Sequence, residues 1–132
     1  MTRPNDLSAT EARKLIGNKQ LSPLELTKSC IDQVERYNPS INAVVAINHE
    51  DVLKEAKKAE DEVMAGKELG LLHGLPVGIK DLNPVKDLRS TSGSKLFENR
   101  IPDYDDSVVA DIRAEGGIVF CKTNTPEFGA GA

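Results

Sequence analysis

The sequence predicts an α/β protein in which helices cover a mixed, largely parallel sheet. Two observations carry that expectation. Segments with apolar residues at three- and four-residue spacing, each opened by a capping residue, alternate with short runs that are apolar at nearly every position. Runs of the second kind, residues 43–47 and 118–121, are strands covered on both faces, and such strands belong to sheets packed between helices. At 132 residues the chain has room for one domain with a core of its own.

Each element has a local reason. Ser8 and Glu11 form a capping box, Ala12, Leu15 and Ile16 supply a buried stripe, and Gly17 is placed to stop a short first helix. Ser22 repeats the device with Pro23 at the first helical position, where its missing N–H costs nothing. Leu24, Thr27, Ile31 and Val34 then mark an amphipathic helix predicted to end near Tyr37, before Asn38-Pro39 breaks it. After the strand at 43–47, Asn48 caps a third helix with Val52, Ala56, Ala59 and Val63 on its apolar face and Gly66 as its stop. The Glu50 and Lys54 pair supports that helix, and its other charges form a solvated face. His49 at its start is a surface or capping residue, since no second ligand stands one turn on.

Residues 77–80 form the next strand. Residues 83–93, rich in turn formers and hydroxyls, form a loop over its end. Ser90, Thr91, Ser92 and Ser94 are read as solvated loop hydroxyls, with substrate binding as the alternative. Asp105 or Asp106 caps a fourth helix with Val108, Val109 and Ile112 inward and Gly116-Gly117 at its stop. The strand at 118–121 follows, and Pro126 suits the first turn of whatever comes next.

The chemistry centres on residues 72–81, LHGLPVGIKD, and on Lys80 within them. Leu75, Pro76, Val77, Gly78 and Ile79 lead directly into an ammonium group. Two readings are open. Carried into a low-polarity setting, the lysine loses the hydration of its charged form, its pKa falls, and a neutral amine becomes available as a general base. Alternatively Lys80 ends a strand and reaches water or an acidic partner such as Asp81. A phosphate-binding loop is excluded: three residues separate Gly74 and Gly78 where a Walker loop has four, and no Lys-Ser or Lys-Thr pair follows.

Composition removes other classes. The net charge of −4 arises from acids and bases mixed along the chain, so neither a nucleic-acid stripe nor a polybasic membrane patch is present. Cys30 and Cys121 belong to no CxxC or Cys/His cluster and read as reduced core residues. The first residues have no apolar leader core, and no window approaches a membrane span, so a cytoplasmic protein is expected. No metal or other cofactor is implied.

Three blocks, in this order, resemble the amidase signature family of amide hydrolases: LSPLELTKSCIDQVERYNPSINAVVAI, LHGLPVGIKDLNPVKDLRSTSGS and DDSVVADIRAEGGIVFCKTNTPEFG. They run from about Leu21 to the last residue. The resemblance implies part of an α/β/α sandwich and a Ser-cisSer-Lys triad. In that triad Lys80 works through an intermediate serine to deprotonate a nucleophilic serine, which attacks an amide carbonyl beside a glycine-rich oxyanion hole. Leu82 stands where many members have asparagine and Gly78 where alanine is common; neither alters the lysine. In the family both serines follow the KTN-PEF block, in a serine- and glycine-rich segment absent from residues 1–132. Ser92 and Ser94 lie in a different block and do not replace them. The expectation is therefore the N-terminal part of an amidase domain, carrying Lys80 alone of the triad, inactive by itself and prone to self-association or to complementation by another chain. Part of a tRNA-dependent amidotransferase and a non-catalytic split module are the alternatives. The substrate expected for the intact enzyme is a small carboxylic amide.

Overall fold

The computed structural model describes residues 2–131. The predicted helices and strands form in the predicted order: α1 (Ala9–Gly17), α2 (Pro23–Ile41), β1 (Val44–Ala46), α3 (His49–Met64), β2 (Pro76–Lys80), α4 (Ser107–Ala114) and β3 (Ile118–Thr123). Both halves of the Ser8–Glu11 capping box are made. Ser22 caps α2 through the N–H groups of Leu24 and Glu25, and Asn48 and Asp106 cap α3 and α4. The buried residues of α3 are Val52, Ala56, Ala59 and Val63, the stripe read from their spacing. Glu50 and Lys54 pair at 2.6 Å on its solvated side.

The sheet has the order β1-β3-β2, with β3 in the middle, parallel to β2 and antiparallel to β1. Helices cover both of its faces. On one side Ile31 of α2 and Val52, Ala56 and Ala59 of α3 pack on Ile118, Phe120 and Cys121. On the other, Val109 of α4 and Val85 pack on Ile79 and Val119. A third cluster joins α1, through Ala12 and Ile16, to Leu26, Val63 and Leu75. Among the described residues no helix is long and apolar enough to cross a membrane.

Several local expectations are corrected. Helix α2 does not stop near Tyr37 but runs through Pro39 to Ile41. The proline sits within the last turn, so it removes one terminal bond only. Asn42 then closes the helix in the left-handed conformation, its N–H donating to the Asn38 carbonyl. The Asn38 side-chain amide donates to the carbonyl of Val44 and accepts from its N–H, at 2.9 and 2.8 Å, which ties the helix end to β1. That strand is half-buried and not covered on both faces, because it lies at the edge of the sheet. Val108 is exposed; the stripe of α4 is Val109 with Ile112 beside it.

Two features of the core make testable statements. Thr27 is fully buried, and among the described residues its hydroxyl has no hydrogen-bond partner. Thr27→Val keeps the branched shape and removes the unpaired group, so urea denaturation should show a gain of about 1 kcal/mol. A loss instead would mean that the hydroxyl is bonded in solution. Both cysteines are free. Burial pushes the Cys121 thiol up from its ordinary 9.0 to about 11, and raises Cys30 as well. Between these two values the unfolded Cys121 is ionised while the folded one keeps its proton, so its stabilising contribution is whole below pH 9 and fades as pH approaches 11. The loss amounts to at most about 2–3 kcal/mol. Denaturation of the parent and of Cys121→Ala across this range should give a difference that shrinks with rising pH; a constant difference contradicts the assignment.

Candidate active site

Lys80 is the last residue of β2, and its Cα is in register with Thr123, the last residue of β3. The carboxyl ends of two parallel strands thus lie side by side, the place where loops of open α/β sheets build ligand sites. The segments leaving them, 81–94 after β2 and 124–129 after β3, meet one another. The Phe128 N–H donates to the Ser92 carbonyl at 2.7 Å, and the Ser94 hydroxyl donates to Glu127 at 2.9 Å. Ser92 and Phe128 both have positive φ, 54° and 51°, which is uncommon for residues with side chains. Gly93 is required between these segments: its φ is 68°, and a Cβ there would lie 2.8 Å from the carbonyl oxygens of Thr125 and Pro126.

Of the two readings of Lys80, this part of the chain shows the strand-ending one: Lys80 closes β2 and is exposed. The buried ammonium belongs to Lys122, with no exposed surface. Strand parity and one irregularity explain the exchange. Alternation along β2 puts Ile79 and Asp81 on the face packed against Val85 and α4, and Lys80 on the other. In β3 the register with β2 slips, Val77 pairing with Val119 but Gly78 with Cys121, so Phe120 is an extra residue. That bulge reverses the parity of β3 and sets Lys122 beside Ile79, on the Asp81 face.

Lys122 Nζ therefore donates to the Asn83 carbonyl, to Ser90 Oγ at 2.9 Å and to Asp81 Oδ1 at 3.2 Å. Its three donors meet three acceptors. The Asp81 carboxylate, 2% exposed, also accepts from the Thr91 N–H at 3.0 Å and from the Thr91 hydroxyl. Thr91 Oγ1 in turn accepts from the Gly93 N–H at 3.1 Å. Ser90 Oγ accepts from the Val85 N–H at 3.2 Å and donates to the Leu88 carbonyl at 3.0 Å. Burial lowers the pKa of Lys122, and the ion pair with Asp81 opposes that shift.

The reading of Ser90, Thr91 and Ser94 as solvated hydroxyls is corrected, since all three are buried and bonded, and Ser92 is half-buried, its hydroxyl accepting from Arg100 at 3.2 Å. Nor is Asp81 the partner of Lys80; it belongs to Lys122. Sequence reasoning missed Lys122 although the pattern was there. Ile118 to Cys121 is an apolar run that ends in a lysine, as the run before Lys80 does. Of the two runs, that of β3 is the more continuous.

A cleft of about 450 Å³ lined by Val85, Leu88, Asp105 and Arg113 lies along α3 and does not include Lys80. Its polar wall is internally neutralised, Arg113 bonding Asp105 at 3.0 Å and Glu55 at 2.9 Å. Among the described residues no group of three or more His, Cys, Asp or Glu is placed to hold a metal ion.

Comparison with known proteins agrees with this architecture. The Amidase family model matches residues 25–132. An acylamidase of Rhodococcus erythropolis is 42% identical over 123 residues, 93% of this chain and 26% of the relative. A Glutamyl-tRNA(Gln) amidotransferase subunit of Carboxydothermus hydrogenoformans is 37% identical over 126 residues, 96% of this chain and 26% of the relative. Among solved structures, a bacterial aryl acylamidase of the amidase signature family superimposes with a TM-score of 0.85 at 28% identity, over 92% of this chain and 26% of that one. The peptide amidase of Stenotrophomonas maltophilia gives 0.86 at 27%, over 96% and 26%. The chain spans about a quarter of the length of these relatives. With the family model covering most of its length, a mixed sheet between helices, and LHGLPVGIKD closing a parallel strand, the chain belongs to the amidase signature family.

Proposed function

We propose that this chain is the lysine-bearing part of a hydrolase of carboxylic amide bonds, in which Lys80 is the general base of a Ser-cisSer-Lys triad. The observation that carries the reading is the position of Lys80 at the carboxyl end of a parallel strand, beside the end of β3. An exposed side chain at that point is free to meet a partner serine, whereas Lys122, saturated by three acceptors, is not. In the reaction the neutral Lys80 amine accepts a proton relayed from the nucleophilic serine, the serine oxygen bonds to the amide carbon, and the proton returns to the departing amine. Water then repeats the sequence on the acyl-enzyme. Both serines and the oxyanion donors come from polypeptide outside residues 1–132, and that polypeptide also covers Lys80 and desolvates it.

The test is hydrolysis of an aryl anilide by the gene product that carries this chain, parent against Lys80→Ala. No turnover by the parent sinks the activity; undiminished turnover by the variant sinks the role of Lys80.

The second reading is one component of an amidotransferase that works with partner chains, favoured by the similarity to several amidotransferase subunits. Partner chains that copurify with the gene product, with amide cleavage that depends on them, would select it.

A further inference from the structure

We propose that Lys122, acting through Asp81 and Thr91, is a positioning residue that holds the catalytic end of β2; the inference rests on the reading of Lys80 above. An ammonium with all three N–H groups donated has no lone pair to accept a proton, so Lys122 is no second base. Stability alone is a weak reason for the pair, because apolar residues of similar volume commonly replace a buried ion pair at no loss. Direction is what such residues do not supply. Lys122 fixes a carbonyl and a carboxylate from the turn that follows β2, those of Asn83 and Asp81, and a hydroxyl from further along the loop, that of Ser90.

The clamp reaches Lys80 through the backbone. On one side of Lys80, Ile79 is buried in the core; on the other, the Asp81 N–H donates to the Thr123 carbonyl at 2.9 Å while its carboxylate is held by Lys122 and Thr91. An exposed lysine has many rotamers, and only its Cα is fixed by these neighbours. Thr91 extends the clamp outward, since the hydroxyl that donates to Asp81 accepts from Gly93, in the segment packed on 125–126. Both walls of the strand-end region are thereby tied to one buried ion pair. A displacement of about 1 Å at a reacting group costs on the order of 100-fold in rate, so this anchorage is a catalytic requirement.

Thr91→Val and Thr91→Ser test the clamp with little risk to folding. In the complete gene product, Thr91→Val should lower kcat for the anilide by about 10- to 100-fold with KM nearly unchanged, and Thr91→Ser, which keeps the hydroxyl, should retain most of the rate. The double variant Lys80→Ala/Thr91→Val should be no slower than Lys80→Ala, because an anchor for an absent base has nothing left to lose. Parental kcat in Thr91→Val overturns the proposal, as do equal losses in the two Thr91 variants, a loss confined to KM, or additive losses in the double variant. Failure of the underlying reading looks different: Lys80→Ala then keeps its rate whatever the Thr91 variants do.

Discussion

Lys80→Ala should lower kcat/KM for an aryl anilide by about 10²- to 10⁴-fold, the range that a positioned general base supplies. The variant should remain folded. Among the described residues the Lys80 side chain is exposed and makes no hydrogen bond or ion pair, so its truncation removes no contact that holds this part of the fold. The combination separates a chemical role from a structural one, because activity and the unfolding midpoint move independently. Lys80→Arg sharpens the test. A guanidinium keeps the charge and much of the length but does not give up its proton, so it is no base and should be nearly as slow as alanine. If arginine restores the rate, the residue serves as a cation, and the proton relay assigned to it is wrong.

Lys122→Met should produce the opposite pattern, a large loss of stability. Methionine fills comparable volume but leaves the Asp81 carboxylate buried with only Thr91 to accept from, and an uncompensated buried charge costs about 3–5 kcal/mol. Against a total of about 5–15 kcal/mol for a domain, that is enough to shift the denaturation midpoint far. Combining Lys122→Met with Asp81→Asn removes both charges, and stability should recover by at least about 1–2 kcal/mol relative to Lys122→Met alone. A double variant as unstable as the sum of the two single ones would mean that the pair is not energetically coupled. The same substitutions say whether a buried ion pair is kept here for strength or for geometry. A double variant with recovered stability and a low rate supports geometry.

Most of the secondary structure was determined by the sequence alone, and for local reasons. A capping serine or asparagine, a three- and four-residue apolar stripe and a stopping glycine act within a single helix, so Ser8, Ser22 and Asn48 place α1, α2 and α3 without reference to the rest of the chain. The apolar run ending at Cys121 likewise marks β3 as a buried strand. The end of α2 was not determined in this way. Pro39 is a breaker by its own chemistry, and it is accommodated by Asn42 and by the Asn38 contacts to β1, which exist only once the strand is in place. The family blocks were legible too, since they are strings of residues and depend on no fold.

Only the tertiary structure decided which lysine is buried. Two apolar runs each deliver a lysine at the end of a strand, and period-two alternation alone does not say which face is open or which strand is central. The slip at Phe120 and the order of the three strands settle it: Lys122 turns onto the Asp81 face of the middle strand, and Lys80 remains on the other face at the edge. The hydroxyls of Ser90 and Thr91 follow the same rule. In sequence they belong to a polar loop, but the loop folds back over a buried charge, and burial of that charge requires them as partners. Propensity and spacing act over a few residues, whereas the placement of a charge depends on groups that lie 41 residues apart, Asp81 and Lys122, and meet only across the sheet.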